Sequence, residues 1–289
     1  MRKLVMLLVH IMFVLLVAAC STSEEETFII GVIPAQTEGE METAINKLQE
    51  ILTEKLDQTV EISVYPDYNG VVEAMNYNKI NMAFLGPLTY VIAHEKSGAK
   101  AIVTQLIDGE PFYYSYIITH QDNKVNSLED LLKQSEEVNF AFGDPNSTSG
   151  SLIPSIELKD KGVYSSEDEN QFKSVRFTGS HDATALSIQN KQVDAGAIDS
   201  AIFNQLVESG KIDGSQVKVI WESDQLFQYP WAVNKDTDEK TIVQLQAAFL
   251  SISDKDILNA FGASGFTKAS NENYKSILDA AIKQGIIQE

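Results

Sequence analysis

From residue 28 onward the apolar residues switch repeatedly between two spacings, and no other feature of the chain constrains its fold as much. Phe28 to Ile33 (FIIGVI) is a short run rich in β-branched residues, which predicts a strand. Beyond Pro34, Met41, Ile45, Leu48, Ile51, Leu52 and Leu56 recur at helical spacing. Val60 to Val64 alternates with period two. Residues 68–77 return to the helical period through Val71, Val72 and Met75, and Met82 to Leu85 is an apolar run closed by Gly86-Pro87. Repeated β-α-β predicts an α/β fold with parallel strands covered by helices.

The second half continues the pattern. Strands are predicted over 114–119, 138–142, 193–198, 217–221 and 231–233. Ser127-Leu-Glu-Asp130 has the form of a capping box, and helical spacing covers 183–189, 241–252, 255–261 and 273–283. The chain is expected to build two lobes, each a mixed, mostly parallel sheet flanked by helices. It would cross between them near 117–120 and 228–234. Lobe 1 is then 28–117 with 234–289, and lobe 2 is 118–233. Ligands of such sheets bind at the carboxyl ends of strands, in a crevice.

The first twenty residues predict an extracytoplasmic protein. Arg2 and Lys3 precede an apolar run from Leu4 to Val17, interrupted at His10 and ended by Val17-Ala18-Ala19-Cys20. The run is too short for a spanning helix and reads as a signal peptide over 1–19. Small residues before a cysteine resemble the bacterial lipobox, which implies lipidation of Cys20 and a membrane tether over 20–27. Cys20 is the only cysteine, so no intramolecular disulfide can form. The formal charge is −19, and two units more negative without Arg2 and Lys3. Such acidity argues against nucleic acid and anionic membrane surfaces as partners.

The strongest chemical signal is the strand-to-helix turn Asp144-Pro-Asn-Ser-Thr-Ser-Gly150. First-turn N–H groups of a helix are unpaired and carry partial positive charge, and hydroxyls donate without adding formal charge. The same turn also reads as a plain N-cap. Other chemistry is weaker. Zinc-ligand spacing and a Walker-type loop are lacking. Ser147, His181 and Asp182 lack a G-x-S-x-G elbow, which argues against an enzyme. Acidic runs such as Glu167-Asp-Glu169 read as solvated surface.

Four stretches together resemble the substrate-binding proteins of phosphonate, phosphite and phosphate ABC importers, which have the type II periplasmic-binding-protein fold. They are Pro66-Asp-Tyr-Asn-Gly70, Asn81 to Pro87, Gly143 to Gly150, and Ser180 to Ala185 with Gln192 to Gly196. The resemblance implies that Ser147, Thr148 and Ser149 hold the ligand's oxygens, with His181 facing them from a second loop. Tyr68 would donate across the cleft, and Tyr113, in the Tyr113-Tyr114 doublet, matches another aromatic position near the ligand. Where relatives that favour aminoalkylphosphonates carry carboxylates, this chain aligns Ala201 and Tyr229. Tyr229 is thereby expected at the mouth of the site, and Asp199 as a support or specificity residue. The implied protein is a monomer that needs no cofactor or metal and delivers its ligand to a permease with its ATPase. A sensory lipoprotein reporting the same ligands and, more remotely, a phosphoesterase using Ser147 are the rival readings.

Overall fold

A computed structural model describes residues 27–36 and 41–288. The expected signal peptide and Cys20 lie outside the described residues, as does the expected tether apart from Thr27. In chain order the strands begin with β1 (Phe28–Val32), β2 (Val60–Val64), β3 (Met82–Phe84) and β4 (Lys100–Leu106). They continue with β5 (Phe112–Tyr113), β6 (Ser115–His120), β7 (Asn139–Phe142), β8 (Ser174–Phe177), β9 (Ala195–Asp199) and β10 (Val217–Glu222). β11 (Leu226–Phe227), β12 (Pro230–Val233) and β13 (Gly265–Lys268) complete the set. They form a six-stranded sheet, β13-β4-β12-β3-β1-β2, and a five-stranded sheet, β10-β6-β9-β7-β8.

Two β-α-β centres hold the parallel ladders. β1 pairs in parallel with β2 and β3, and β7 with β8 and β9. β12 runs antiparallel to β3 and β4, β13 to β4, β6 to β9, and β10 to β6. Both sheets are therefore mixed, but the expected parallel majority is absent. A parallel neighbour requires a long crossover, and strands that return from the other lobe arrive without one.

The burial pattern explains why the elements sit where they do. In the helix Glu42–Leu56, Ala44, Ile45, Leu48 and Leu52 form the buried stripe. Along the five-stranded sheet, neighbouring side chains feed opposite cores, as the two-residue repeat of a strand demands. Ile117, Phe140 and Phe142 pack with Leu128, Leu131 and Leu158 on one face. Ile118, Ala141 and Ile198 pack with Ala185, Ile188 and Phe203 on the other. Among the described residues, no helix is long and apolar enough to cross a membrane.

The crossing itself is a two-stranded ribbon in which Tyr113 pairs with Leu226 and Phe112 with Phe227. This moves the expected lobe boundaries. β6 lies wholly in the five-stranded sheet, with Ser115 opposite Asp199, and β12 lies wholly in the six-stranded one. A boundary at 117/118 would cut through β6, and one at 233/234 would assign all of β12 to lobe 2 although it pairs with β3 and β4. The ladders place the change of lobe at 112–113 and 226–227 instead. The structure also adds elements for which the sequence carries no clear period: β4, β8, β13, and the helices Pro87–Ser97 and Ser200–Glu208.

Candidate anion-binding site between the lobes

β7 runs straight into the hydroxyl-rich turn. Ser147 is its N-cap, and its Oγ accepts the Gly150 N–H at 3.0 Å. That leaves the Ser147 O–H proton available, since a hydroxyl both accepts and donates. Residues Thr148–Leu152 form one wide π turn before the helix Ile153–Asp160, so the first-turn N–H groups of Thr148 and Ser149 have no intrahelical acceptor. Gly150 allows the turn to fold this tightly. A Cβ there would lie 2.9 Å from Ser147 Oγ, 3.1 Å from His181 Cε1 and 3.2 Å from Gly143 Cα. Ser147, Thr148 and Ser149 are all buried.

Thr148 also ties the lobes together. Its Oγ1 accepts the N–H of Leu88, at the start of the lobe 1 helix Pro87–Ser97, at 2.8 Å. A second bond across the cleft runs from the His181 N–H to the Ala35 carbonyl at 3.1 Å. A third joins Gln36 Nε2 to Gln205 Oε1 at 3.0 Å.

His181 opens the helix His181–Gln189 behind its N-cap Ser180. Its Nδ1 accepts the Asp199 N–H at 3.2 Å, so the neutral ring carries its proton on Nε2. Nε2 lies 3.2 Å from the Tyr229 hydroxyl, and that hydroxyl also faces the Asp199 carboxylate and favours its charged form. Burial drives the His181 pKa down to about 4, against a smaller opposing pull from Asp182, so the imidazole is a neutral donor. Asp199 is the N-cap of the helix Ser200–Glu208, and its Oδ1 accepts from Ala201 N at 2.7 Å and Ile202 N at 3.0 Å. Burial raises its pKa to about 7, although these two N–H groups and Tyr229 favour the anion.

Tyr68, at the first turn of the helix Tyr68–Asn76, and Tyr113, in the crossing ribbon, complete the cluster. Both rings are buried; the Tyr68 hydroxyl faces Ser147 and the Tyr113 hydroxyl faces Thr148 and Ser149, but the geometry of a well-formed hydrogen bond is not reached by either phenol or by the Oγ of Ser149. Burial first, and then nearby carboxylates, push both phenols well above 10; for Tyr68 these are Asp144 and Asp199, for Tyr113 Asp199. They remain protonated donors. The site thus combines neutral hydroxyl donors with helix N-termini, while the His181 N–H faces the Tyr229 hydroxyl, an arrangement that holds an anion without a cation. This resolves the conflict between an acidic chain and an anionic ligand.

The structure brings Tyr68, Tyr113, Ser147, Thr148, Ser149, His181, Asp199 and Tyr229 into one region. It separates the Tyr113-Tyr114 doublet: Tyr113 is buried, whereas the Tyr114 hydroxyl accepts from Gln225 Nε2 in an exposed contact. Tyr229 departs from expectation. It is buried rather than at the mouth, and its ring lies 5.6 Å from Phe84 and 5.5 Å from Tyr113. A phenol whose oxygen is engaged by His181 and Asp199 is drawn to the floor of the site. Asp182 is also turned away, bonding Ser180 Oγ at 2.6 Å and Lys211 at 3.1 Å. Sequence reading misses the backbone contributions of Leu88 and Ala35, for which no side-chain signal exists.

Comparison with known proteins agrees with this geometry. Residues 30–274 match the family model described as the periplasmic substrate-binding protein of phosphonate ABC transporters. The phosphonates-binding periplasmic protein of Escherichia coli K12 is 29% identical over 262 residues, which cover 89% of this chain and 76% of that one. The phosphate-import protein PhnD of Mycolicibacterium smegmatis is 32% identical over 254 residues, covering 81% and 78%. PhnD1 of Prochlorococcus marinus, solved in complex with methylphosphonate, superposes with a TM-score of 0.81 at 25% identity, covering 91% of this chain and 100% of that one. The chain therefore belongs to the family of periplasmic substrate-binding proteins of phosphonate ABC transporters.

Proposed function

We propose that this protein captures a small phosphorus oxyanion outside the cytoplasm by hinge closure and presents it to an ABC permease and its ATPase. The observation that carries the reading is the cluster of buried hydroxyl donors of Tyr68, Tyr113 and Ser149, which lie near one another and near Ser147 and Thr148 but make no well-formed hydrogen bond. An unbonded buried polar group costs about 1–3 kcal/mol, and a tetrahedral oxyanion accepts from all three. Tyr68 comes from lobe 1, Ser149 from lobe 2 and Tyr113 from the ribbon between them. Contacts drawn from both sides favour the closed form by their differential affinity for it. The ligand-bound relative and the family assignment support the same class of ligand.

Within that class, the ligand is phosphite, phosphate or a short alkylphosphonate rather than 2-aminoethylphosphonate. Ala201 and Tyr229 cannot neutralise an ammonium group, and burying one unpaired costs several kcal/mol. The remaining carboxylate, Asp199, is already used by two N–H groups and a phenol. Titration calorimetry with methylphosphonate, phosphite, phosphate and 2-aminoethylphosphonate tests this order. Tightest binding of the amino compound, abolished by Asp199→Asn, would reverse it.

Cys20 is the proposed lipid attachment point. Stable anchoring takes more than one acyl chain, which a diacylglyceryl group supplies. Cys20→Ser is expected to release the protein from the membrane fraction or leave it unprocessed. Normal cleavage with undiminished membrane partitioning would exclude the anchor.

A further inference from the structure

A small cavity lies beside the oxyanion site, with about 20 Å³ of free volume, room for one water- or methyl-sized group. Tyr229 and Asp199 belong to both, so the cavity continues the site rather than standing apart from it. Phe84, Ile202 and Phe261 supply apolar wall. Set into that wall are two buried amides, Gln105 and Gln228. Gln105 Oε1 and Gln228 Nε2 make no hydrogen bond. The orientation of Gln228 is fixed, because its Oε1 accepts the Tyr229 N–H at 2.8 Å and leaves the NH₂ as a free donor.

One unbonded acceptor and one unbonded donor in a single cavity select the chemistry of what enters. An ammonium group has three donors and no acceptor, so it leaves the Gln228 NH₂ unsatisfied. A methyl group satisfies neither amide. A hydroxyl donates to Gln105 Oε1 and accepts from Gln228 Nε2. We infer that this cavity is a subsite for the hydroxyl of a short hydroxyalkylphosphonate, with the phosphonate held by the serine-threonine turn. This rests on the oxyanion reading above and deepens it by naming the substituent.

Isosteric ligand pairs test it on the native protein: hydroxymethylphosphonate against ethylphosphonate, and 2-hydroxyethylphosphonate against propylphosphonate. A site built around a hydroxyl strongly rejects the analogue lacking it, so one pair is expected to show at least about a tenfold preference for the hydroxyl. In Gln105→Met and Gln228→Met the ratio within that pair should collapse toward one. The ratio rather than the absolute affinity is the readout, which separates the subsite from a general weakening. Equal affinities within both pairs would mean that the cavity holds only water and would overturn the subsite, as would a preference that survives both substitutions. If phosphite and methylphosphonate bind while the pairs show no preference, the subsite alone fails. If no phosphorus compound binds, the oxyanion reading fails with it.

Discussion

Asp199 does three things at once. Its backbone N–H sets the His181 tautomer, its Oδ1 caps a helix, and its carboxylate takes the Tyr229 hydroxyl. Burial makes its charge costly, and the consequences for pH follow from the direction of each shift. The folded pKa of about 7 exceeds the ordinary 3.8, so the folded form holds this proton more tightly. That contribution to stability is complete below about 3.8 and is lost as pH rises through 7. His181 runs the other way. Its folded value of about 4 lies below the ordinary 6.5, so its contribution is present above 6.5 and lost as pH falls through 4. Asp199→Asn is therefore expected to melt above the wild type at pH 8.5, with the gain shrinking as pH falls through 7 and gone only below about 3.8. A thermal-denaturation series across pH measures this, and a gain independent of pH would exclude the titration of Asp199 as its cause.

The site is assembled from helix starts. Tyr68, Thr148, His181 and Ser200 each follow an N-cap whose side chain accepts a backbone N–H: Asp67, Ser147, Ser180 and Asp199. These caps hold the first turns open toward the cleft, where their N–H groups act as a diffuse positive charge. Cap and ligand roles can be separated at Ser147, because aspartate caps a helix as well as serine does. Ser147→Asp should therefore keep the cap and the fold, with the melting temperature lowered by the burial of the new carboxylate. It places a carboxylate beside the ligand's oxygens, so binding of phosphite or methylphosphonate should fall by about two orders of magnitude, on the scale of several kcal/mol for opposed buried charges. Calorimetry beside circular dichroism reads both, and unchanged affinity in a folded variant would remove Ser147 from the site.

At the scale of the molecule, the lobes meet through hydrogen bonds of Thr148 with Leu88, His181 with Ala35, Gln205 with Gln36 and Asn259, and Lys159 with Gln284, and through Leu152, Ile153, Ile156, Ala201 and Ile202 packed against the lobe 1 core. Two short strands carry the crossing. A narrow ribbon suits a hinge, in which ligand adds to the closing energy. Thr148→Val keeps the shape but removes the acceptor for the Leu88 N–H. It is expected to weaken binding about tenfold or more, the scale of one lost buried hydrogen bond with its partner left unsatisfied. Small-angle scattering should then show ligand-induced compaction only at correspondingly higher ligand concentration. Compaction at wild-type concentrations would show that this bond does not help hold the lobes together.

Some of this was legible in the chain as written, for a physical reason. Strand and helix periods, the Ser147-Thr148-Ser149 turn and the cap at Ser127 are local, so they depend on neighbours in sequence. Local pattern also placed Tyr68 at a helix start, whereas His181, expected on a loop before a helix at 183, is itself the first residue of the helix His181–Gln189. It failed where burial is two-sided or a start has no loop before it. β4 is flanked by β12 and β13 and lacks alternation, and Ser200–Glu208 begins directly at the end of β9. Strand direction, the crossing at 112–113 and 226–227, and the burial of Tyr229 depend on pairings between residues more than a hundred positions apart. So do the Ala35 contact and the shared cavity of Gln105 and Gln228, while the Leu88 contact with Thr148 spans 60 positions. Sequence by itself determined the donors and the segments that carry them. Only the tertiary structure decided which donors converge, because convergence is set by long-range packing, and no local spacing encodes it.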